Sequence, residues 1–337
     1  MGEYYKALKF YQKALEIQQK SLSSNHLDVS VVYGNIAEIH SITGKYSKAL
    51  EFYHKTLEIQ EKSLPPNHPS LIITYNNIGG TYDNMGNYSK ALEFHHKKLE
   101  IEQKLLSSNH PDLATTYNNI GLVCKNMGKY SKALEFYQKA LKIQEQSSST
   151  DRSDLTTMYN NIGSVYQNLE DYPRALEFYH KALGLVQTNL VPSHPMKIAL
   201  YTNVGQTYFS VGQYSEALEF YQKSLEILQQ TGFLNHPHLG NTYKSIGLVY
   251  LSMREYSKAL EFYQKTLDIW QRSLPSSHPH LALINYDFGM IYNELRDFPK
   301  AFVYYKRAVD IGQQSLNADH PHLQTYQKKL AELQKKL

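Results

Sequence analysis

Apolar residues recur along this chain at spacings of three and four, the pattern of helices that bury one face. Residues 69–85 form one such stretch, whose apolar and small positions are Leu71, Ile72, Tyr75, Ile78, Gly79 and Tyr82. Residues 88–106 form a second stretch, with Ala91, Leu92, His95, Leu99 and Ile101 on one face. We name these helix A and helix B. A short turn separates them, and a polar loop containing Asn-His-Pro follows helix B.

This A–B pattern repeats with a period of 42 residues. The loop histidine recurs in His26, His68, His110, His194, His236, His278 and His320, with Arg152 in the remaining copy. An alanine of helix B recurs in Ala7, Ala49, Ala91, Ala133, Ala175, Ala217, Ala259 and Ala301. A period of this size predicts a stack of repeats rather than separate globular domains, because one helix pair buries its apolar face only against its neighbours.

The register predicts an all-α fold of about 16 helices in a single solenoid over residues 1–337. Helix B of a truncated first repeat takes residues 1–24, and a C-terminal capping helix takes residues 319–337. The full repeats between them are 25–66, 67–108, 109–150, 151–192, 193–234, 235–276 and 277–318. Because the chain opens on a B helix, we expect an exposed apolar edge there, which would mark a truncated chain, a missing upstream domain or a self-association surface.

Composition excludes several classes of function. The 35 basic and 31 acidic residues give a net charge of +4, without the basic stripe of a nucleic-acid-binding protein. The 29 tyrosines predict an interior rich in aromatic rings. The single cysteine, Cys124, excludes an intramolecular disulfide. No apolar run approaches the ~18 residues of a membrane span, and the N-terminus does not resemble a signal peptide, so we expect a cytoplasmic protein without membrane contact.

No group of residues points to catalysis. Successive loop histidines should lie on the order of 20 Å apart, judged from helix diameters of ~10 Å, whereas shared metal ligands lie ~2 Å from the ion. We therefore expect these histidines to cap helix A or to pack at its start. Cys124 occupies the position of Tyr82 in its repeat and is expected to be a buried thiol. The glycines occur singly, unlike those of a phosphate-binding loop. We expect no enzyme activity, no cofactor and no metal.

The repeat carries a family resemblance. The run Tyr75-Asn76-Asn77-Ile78-Gly79, followed by Tyr82, Gly86, Tyr88, Ala91 and Leu99, resembles the tetratricopeptide repeat (TPR). The 42-residue unit, as in residues 109–143, is similar to the repeats of kinesin light chains. The resemblance implies a right-handed superhelix of helix-turn-helix units that acts as a non-catalytic protein–protein interaction scaffold. It also suggests an alternative, a cytoskeleton-associated cargo adaptor for microtubule transport. A further alternative, independent of the resemblance, is the regulatory part of a larger enzyme whose catalytic domain lies upstream.

The same resemblance implies a peptide-binding face. In TPR proteins the A helices line a concave groove, where an asparagine pairs with the backbone of an extended peptide. The matching ladder here is Asn35, Asn77, Asn119, Asn161 and Asn203, and Ser245 and Asp287 replace the next two members. Further candidates on this face are Asn76, Asn118, Asn160, Lys125, Asn126, Asn168 and Lys244. Since few of these are basic, a neutral peptide is expected. The alternative is that the asparagines bond to a neighbouring repeat and bind no ligand.

Overall fold

The computed structural model describes residues 2–21, 26–146, 152–189, 195–230 and 237–336, and this part of the chain is helical with no strand. Its sixteen helices confirm the expected all-α architecture. The helices are α1 (Gly2–Ser21), α2 (Leu27–Ile42), α3 (Tyr46–Ser63), α4 (Pro69–Asn84), α5 (Tyr88–Leu105), α6 (Pro111–Asn126), α7 (Tyr130–Gln146), α8 (Ser153–Asn168), α9 (Tyr172–Asn189), α10 (Pro195–Ser210), α11 (Tyr214–Gln230), α12 (Pro237–Ser252), α13 (Tyr256–Ser273), α14 (Pro279–Glu294), α15 (Phe298–Ser315) and α16 (Pro321–Gln334). Even-numbered helices are A helices and odd-numbered helices are B helices.

The loop histidines cap the A helices, as expected. Nδ1 of His68 accepts a hydrogen bond of 3.2 Å from the backbone N–H of Ser70, the second residue of α4. The same 3.2 Å bond to the second N–H of the helix occurs at His26, His110, His278 and His320. The proline that usually follows costs nothing there, since the first helical N–H groups have no partner within the helix. His194 and His236 lie outside the described residues.

Tight turns join each A helix to its B helix. Gly44, Gly86, Gly128 and Gly212 adopt φ between 72° and 78° in these turns, which glycine does without steric cost. Glu170, Arg254 and Arg296 occupy the same place in other repeats at φ of 59° to 60°. The turn geometry is therefore kept where the glycine is replaced.

The chain divides into two compact units, residues 1–170 with α1–α8 and residues 171–337 with α9–α16. Within each unit, consecutive helices pack against one another. A helices of successive repeats also contact each other, as α2 does α4, α6 does α8, and α10 does α12. The division into repeats within one solenoid stays a prediction.

The glycine of helix A packs against the same position of helix B in five repeats. In these repeats an aromatic ring of helix B occupies the space beside the glycine of helix A. A Cβ placed on Gly121 would lie 2.7 Å from Cδ1 of Tyr137, and the same tyrosine position faces Gly205, Gly247 and Gly289. Tyr137 is completely buried. The glycine therefore makes room for a ring of helix B rather than for its backbone.

Helix α1 buries much less of itself than the other B helices. Ile17 is 67% exposed, whereas Ile59, at the same position of α3, is 5% exposed. Helix α1 packs against α2, whereas α3 packs against both α2 and α4. Self-association at this end stays a prediction, which light scattering over a series of protein concentrations measures directly.

Candidate functional site

The ladder asparagines lie at the edge between the core and the surface of the A helices. Asn77 is half-buried, and the next residue, Ile78, is completely buried between α4 and α5. Asn35, Asn119, Asn161 and Asn203 have the same half-buried setting on α2, α6, α8 and α10. A polar group at such an edge keeps contact with solvent while its position is held by the core beneath it.

Hydrogen bonding divides the ladder. Within the described residues, the side chains of Asn35, Asn77 and Asn119 form no hydrogen bond. Asn161 instead donates from Nδ2 to Oδ1 of Asn118 at 3.0 Å, which links α8 to α6. Three successive carboxamides in the first unit thus keep both their donor and their acceptor.

Most of the other candidates on this face bond to the protein itself. Asn126 donates from Nδ2 to Oδ1 of Asp83 at 3.3 Å, and Asn168 donates to the backbone oxygen of Ser164 at 2.9 Å. Lys125 lies 3.5 Å from Oγ of Ser164, and burial lowers the pKa of this lysine while the charge of Asp83 opposes that effect. Asn160 also has a partner.

A buried polar cluster in α5 was missed from the sequence. His95, Lys98 and Glu102 are at most 7% exposed. Nζ of Lys98 donates to Oδ1 of Asn76 at 3.1 Å and lies 3.6 Å from a carboxylate oxygen of Glu102. Glu102 also accepts a 2.6 Å bond from Oγ1 of Thr116. The repeat alignment carried the signal, because the position of Lys98 holds Thr56, Ala140, Ala182, Ser224, Thr266 and Ala308 in the other units.

Burial sets the protonation of this cluster. It lowers the pKa of His95 to about 4, with a further contribution from the positive charge of Lys98. Nδ1 of His95 is buried and has no hydrogen-bond partner. Burial also raises the pKa of Glu102, which the bond from Thr116 and the charge of Lys98 oppose. The imidazole is therefore neutral at physiological pH.

In the second unit, a carboxylate interrupts the ladder. Asp287 of α14 is 6% exposed, and its Oδ2 lies 3.7 Å from Nζ of Lys244 in α12. Burial raises the pKa of Asp287 to about 6 despite this lysine. The ammonium group of Lys244 is thus paired with Asp287 and is not left unpaired for an acidic ligand. Beside Asn203, a cavity of about 550 Å³ opens between α10, α11 and α12.

In six of the B helices, an exposed lysine is paired with a glutamate and a phenylalanine of the same helix. Lys97 lies 2.8 Å from Glu93 and 4.8 Å from the ring centre of Phe94. The same arrangement of Glu, Phe and Lys recurs in α3, α7, α9, α11 and α13. The A-helix face of the first unit differs in carrying the unbonded carboxamides of Asn35, Asn77 and Asn119.

In the described part of the chain, no three metal-ligating side chains cluster as a metal site would require. None of the helices described there is both long and apolar enough to span a bilayer.

Comparison with known proteins agrees with the geometry. A tetratricopeptide repeat family model matches residues 1–62, 32–97, 70–146, 154–230 and 198–272, and a second matches residues 287–322. No curated protein sequence matches the chain.

Solved structures share the fold at low sequence identity. BtubC (BKLC) from P. vanneervenii is 20% identical with a TM-score of 0.60, over 69% of this chain and 94% of that protein. A Podosopora anserina protein with kinesin light chain TPR-like repeats is 21% identical with a TM-score of 0.52, over 61% and 98%. The apo form of RapI is 16% identical with a TM-score of 0.66, over 99% and 96%. Such identities establish the fold alone. Since the repeat matches cover most of its length, the chain belongs to the tetratricopeptide repeat family.

Proposed function

We propose that this protein is a non-catalytic scaffold that holds an extended peptide segment of a partner protein on the A-helix face of its first unit. The observation that carries the proposal is the row of unbonded, half-buried carboxamides at Asn35, Asn77 and Asn119. A carboxamide satisfies one peptide unit through its donor and acceptor without reading the side chain. Repeat proteins of this kind typically act as interaction surfaces rather than catalysts.

Side chains of successive A helices lie within reach of one another, as an extended ligand across them requires. Asn126 of α6 donates to Asp83 of α4, and Asn161 of α8 donates to Asn118 of α6. Because an extended chain advances about 3.3 Å per residue, a segment of several residues runs across more than one of these helices.

The ligand is proposed to be neutral. Both basic candidates on this face are engaged within the protein, Lys125 near Ser164 and Asp83, and Lys244 near Asp287. No cluster of unpaired guanidinium or ammonium groups is left among the described residues of the ladder to bind a carboxylate-rich segment.

Binding of an immobilised peptide library to single alanine variants tests the proposal. We expect Asn35→Ala and Asn77→Ala each to weaken the bound peptides about fivefold, the effect of one hydrogen bond of about 1 kcal/mol. Gln138→Ala, on the exposed side of α7, removes a carboxamide off this face and should leave binding unchanged. Equal binding by all four proteins would disprove the role of the ladder.

More specific functions and a cellular location are also proposed. A cargo-adaptor role in microtubule transport and a cytoskeletal location rest on the likeness to kinesin light chain repeats. A cytoplasmic location, and a regulatory role beside a catalytic domain of a larger enzyme, rest on the sequence alone. Affinity purification from cell extract followed by mass spectrometry would separate them, because each requires a different partner.

A further inference from the structure

A small polar cavity lies on the A-helix face of the first unit, between α4 and α6. Its volume is about 170 Å³, and its lining includes Asn76, Gly80, Asp83, His95, Asn119 and Leu122. Water occupies about 30 Å³ per molecule in the liquid, and sites for drug-sized ligands begin at about 300 Å³. The cavity is therefore too large for one water molecule and has the size of a single amino-acid side chain.

Two shortened side chains create this cavity. At the position of His95, every other full repeat has tyrosine, in Tyr53, Tyr137, Tyr179, Tyr221, Tyr263 and Tyr305. At the position of Gly80, the other repeats have Glu38, Leu122, Ser164, Gln206, Leu248 and Met290. A Cβ placed on Gly80 would meet no described atom within 4 Å.

The second unit shows what occupies this space when both side chains are long. There, Oη of Tyr221 donates a hydrogen bond of 3.3 Å to the carboxamide oxygen of Gln206. Gln206 has the position of Gly80, and Tyr221 has the position of His95. In the second unit, the carboxamide of Gln206 thus occupies the repeat position at which Gly80 leaves a cavity in the first unit.

The cavity is lined by both hydrogen-bond donors and hydrogen-bond acceptors. Oδ1 of Asn76 accepts from Lys98, which leaves the amide N–H groups of Asn76 as donors. One oxygen of Asp83 accepts from Asn126, which leaves the other as an acceptor. Asn119 makes no side-chain hydrogen bond within the described residues and offers both. Leu122 supplies an apolar surface for methylene groups.

The surroundings of the cavity favour an uncharged side chain. Lys98, which is 3.1 Å from Asn76, and Asp83, which lines the cavity, carry opposite charges and supply no net charge to balance an ion. Moving an ionised group from water into a partly buried site costs free energy unless it is paired there.

We propose that this cavity receives a carboxamide side chain, foremost glutamine, from the peptide that binds the A-helix face. This inference rests on the proposed peptide-binding function and adds a position of sequence preference to it. The cavity reads one side chain, whereas the ladder asparagines engage the backbone.

A positional-scanning library of immobilised decapeptides tests the inference. For the wild-type chain we expect glutamine, and more weakly asparagine, to be enriched about fivefold at one position, the effect of one to two hydrogen bonds of modest strength. Gly80→Gln should abolish this preference, because its own carboxamide fills the cavity as Gln206 does in the second unit. His95→Tyr should reduce it by narrowing the cavity.

Leu248→Gln is the matched control, since it adds the same side chain at the same repeat position of another A helix. It should leave the preference intact. Far-UV circular dichroism and thermal unfolding confirm that each variant is folded.

The outcomes separate the inference from the function on which it rests. If peptides bind and Asn35→Ala weakens them, but no position prefers a carboxamide or the preference survives Gly80→Gln, the inference is wrong and the scaffold function stands. If no peptide in the library binds the wild-type chain, both are wrong.

Discussion

Replacing two glycines of the second unit by alanine tests the packing of rings against helix A. Alanine favours a helix interior by about 1 kcal/mol over glycine, so both changes gain that amount locally. Gly184 in α9 has no described atom within 4 Å of an added Cβ. At Gly247 in α12 the added Cβ would lie 2.5 Å from Cδ1 and 2.6 Å from Cε1 of Tyr263. Carbon atoms in contact normally lie about 3.5–4.0 Å apart, so this ring must move by about 1 Å.

Tyr263 has little freedom to move, because it is completely buried and its ring packs 6.0 Å from that of Phe288. Overpacking of this kind costs about 1–3 kcal/mol. We therefore expect Gly184→Ala to raise the free energy of unfolding by about 1 kcal/mol, and Gly247→Ala to lower it by up to about 2 kcal/mol.

Urea unfolding followed by tryptophan fluorescence measures both effects. Trp270, the single tryptophan, is 1% exposed and belongs to the same unit as both glycines. In a Tyr263→Leu background the ring is absent, so the penalty of Gly247→Ala should disappear and only the helix-propensity gain should remain. If Gly247→Ala stabilised the parent protein as much as Gly184→Ala does, the idea that glycine is needed there to make room for the Tyr263 ring would be refuted.

Three further predictions concern buried titratable groups. The folded pKa of Asp287, about 6, exceeds its ordinary value of 3.8, so its ionisation opposes folding and the unfolding free energy falls as pH rises from 3.8 to about 6. Asp287→Asn should remove this fall, gaining about 2 kcal/mol on the parent between pH 4 and pH 7 by Trp270 fluorescence; parallel pH profiles would contradict it. The folded pKa of His95, about 4, lies below its ordinary 6.5, so its contribution to stability is complete above pH 6.5 and is lost as pH falls toward 4. His95→Phe should lack this loss of about 3 kcal/mol in urea titrations followed by circular dichroism, and an unchanged acid slope would argue against burial of the ring. Burial raises the pKa of the Cys124 thiol, which is 2% exposed. Its alkylation by iodoacetamide should therefore be slow in the native protein and fast in urea, and rapid native labelling would place the thiol at the surface instead.

Repetition made the fold readable from the sequence. The spacing of Ala91, Gly79 and the loop histidine predicted the helix pairs, the caps at His68 and its equivalents, and the burial of Cys124. Each of these features depends on residues within one repeat or the next. The repeated copies therefore show the same pattern several times, which makes the prediction secure.

The candidate site was less accessible to sequence reasoning, because its properties depend on contacts between repeats. Asn35, Asn77 and Asn161 share one repeat position, yet only Asn161 bonds to a neighbouring side chain, Asn118. Likewise, Lys125 and Lys244 were predicted as ligand contacts, whereas their nearest groups lie on other helices of the protein. The state of a hydrogen-bonding group depends on its partners in space, which the periodic pattern does not specify.

Spacing and side-chain type along a short length of chain were enough to predict the helices, their caps and turns, and the stacking that buries one face of each. Three other features depend on how the helices pack in space: the tyrosine ring against the helix A glycine, the buried polar cluster of α5, and the cavity beside Gly80 and His95. A cavity or a shifted pKa arises from the space and the charges that several helices leave between them, which a one-dimensional pattern does not specify. His95 and Gly80 lie 15 residues apart in sequence, and they act as one feature because α4 and α5 pack together.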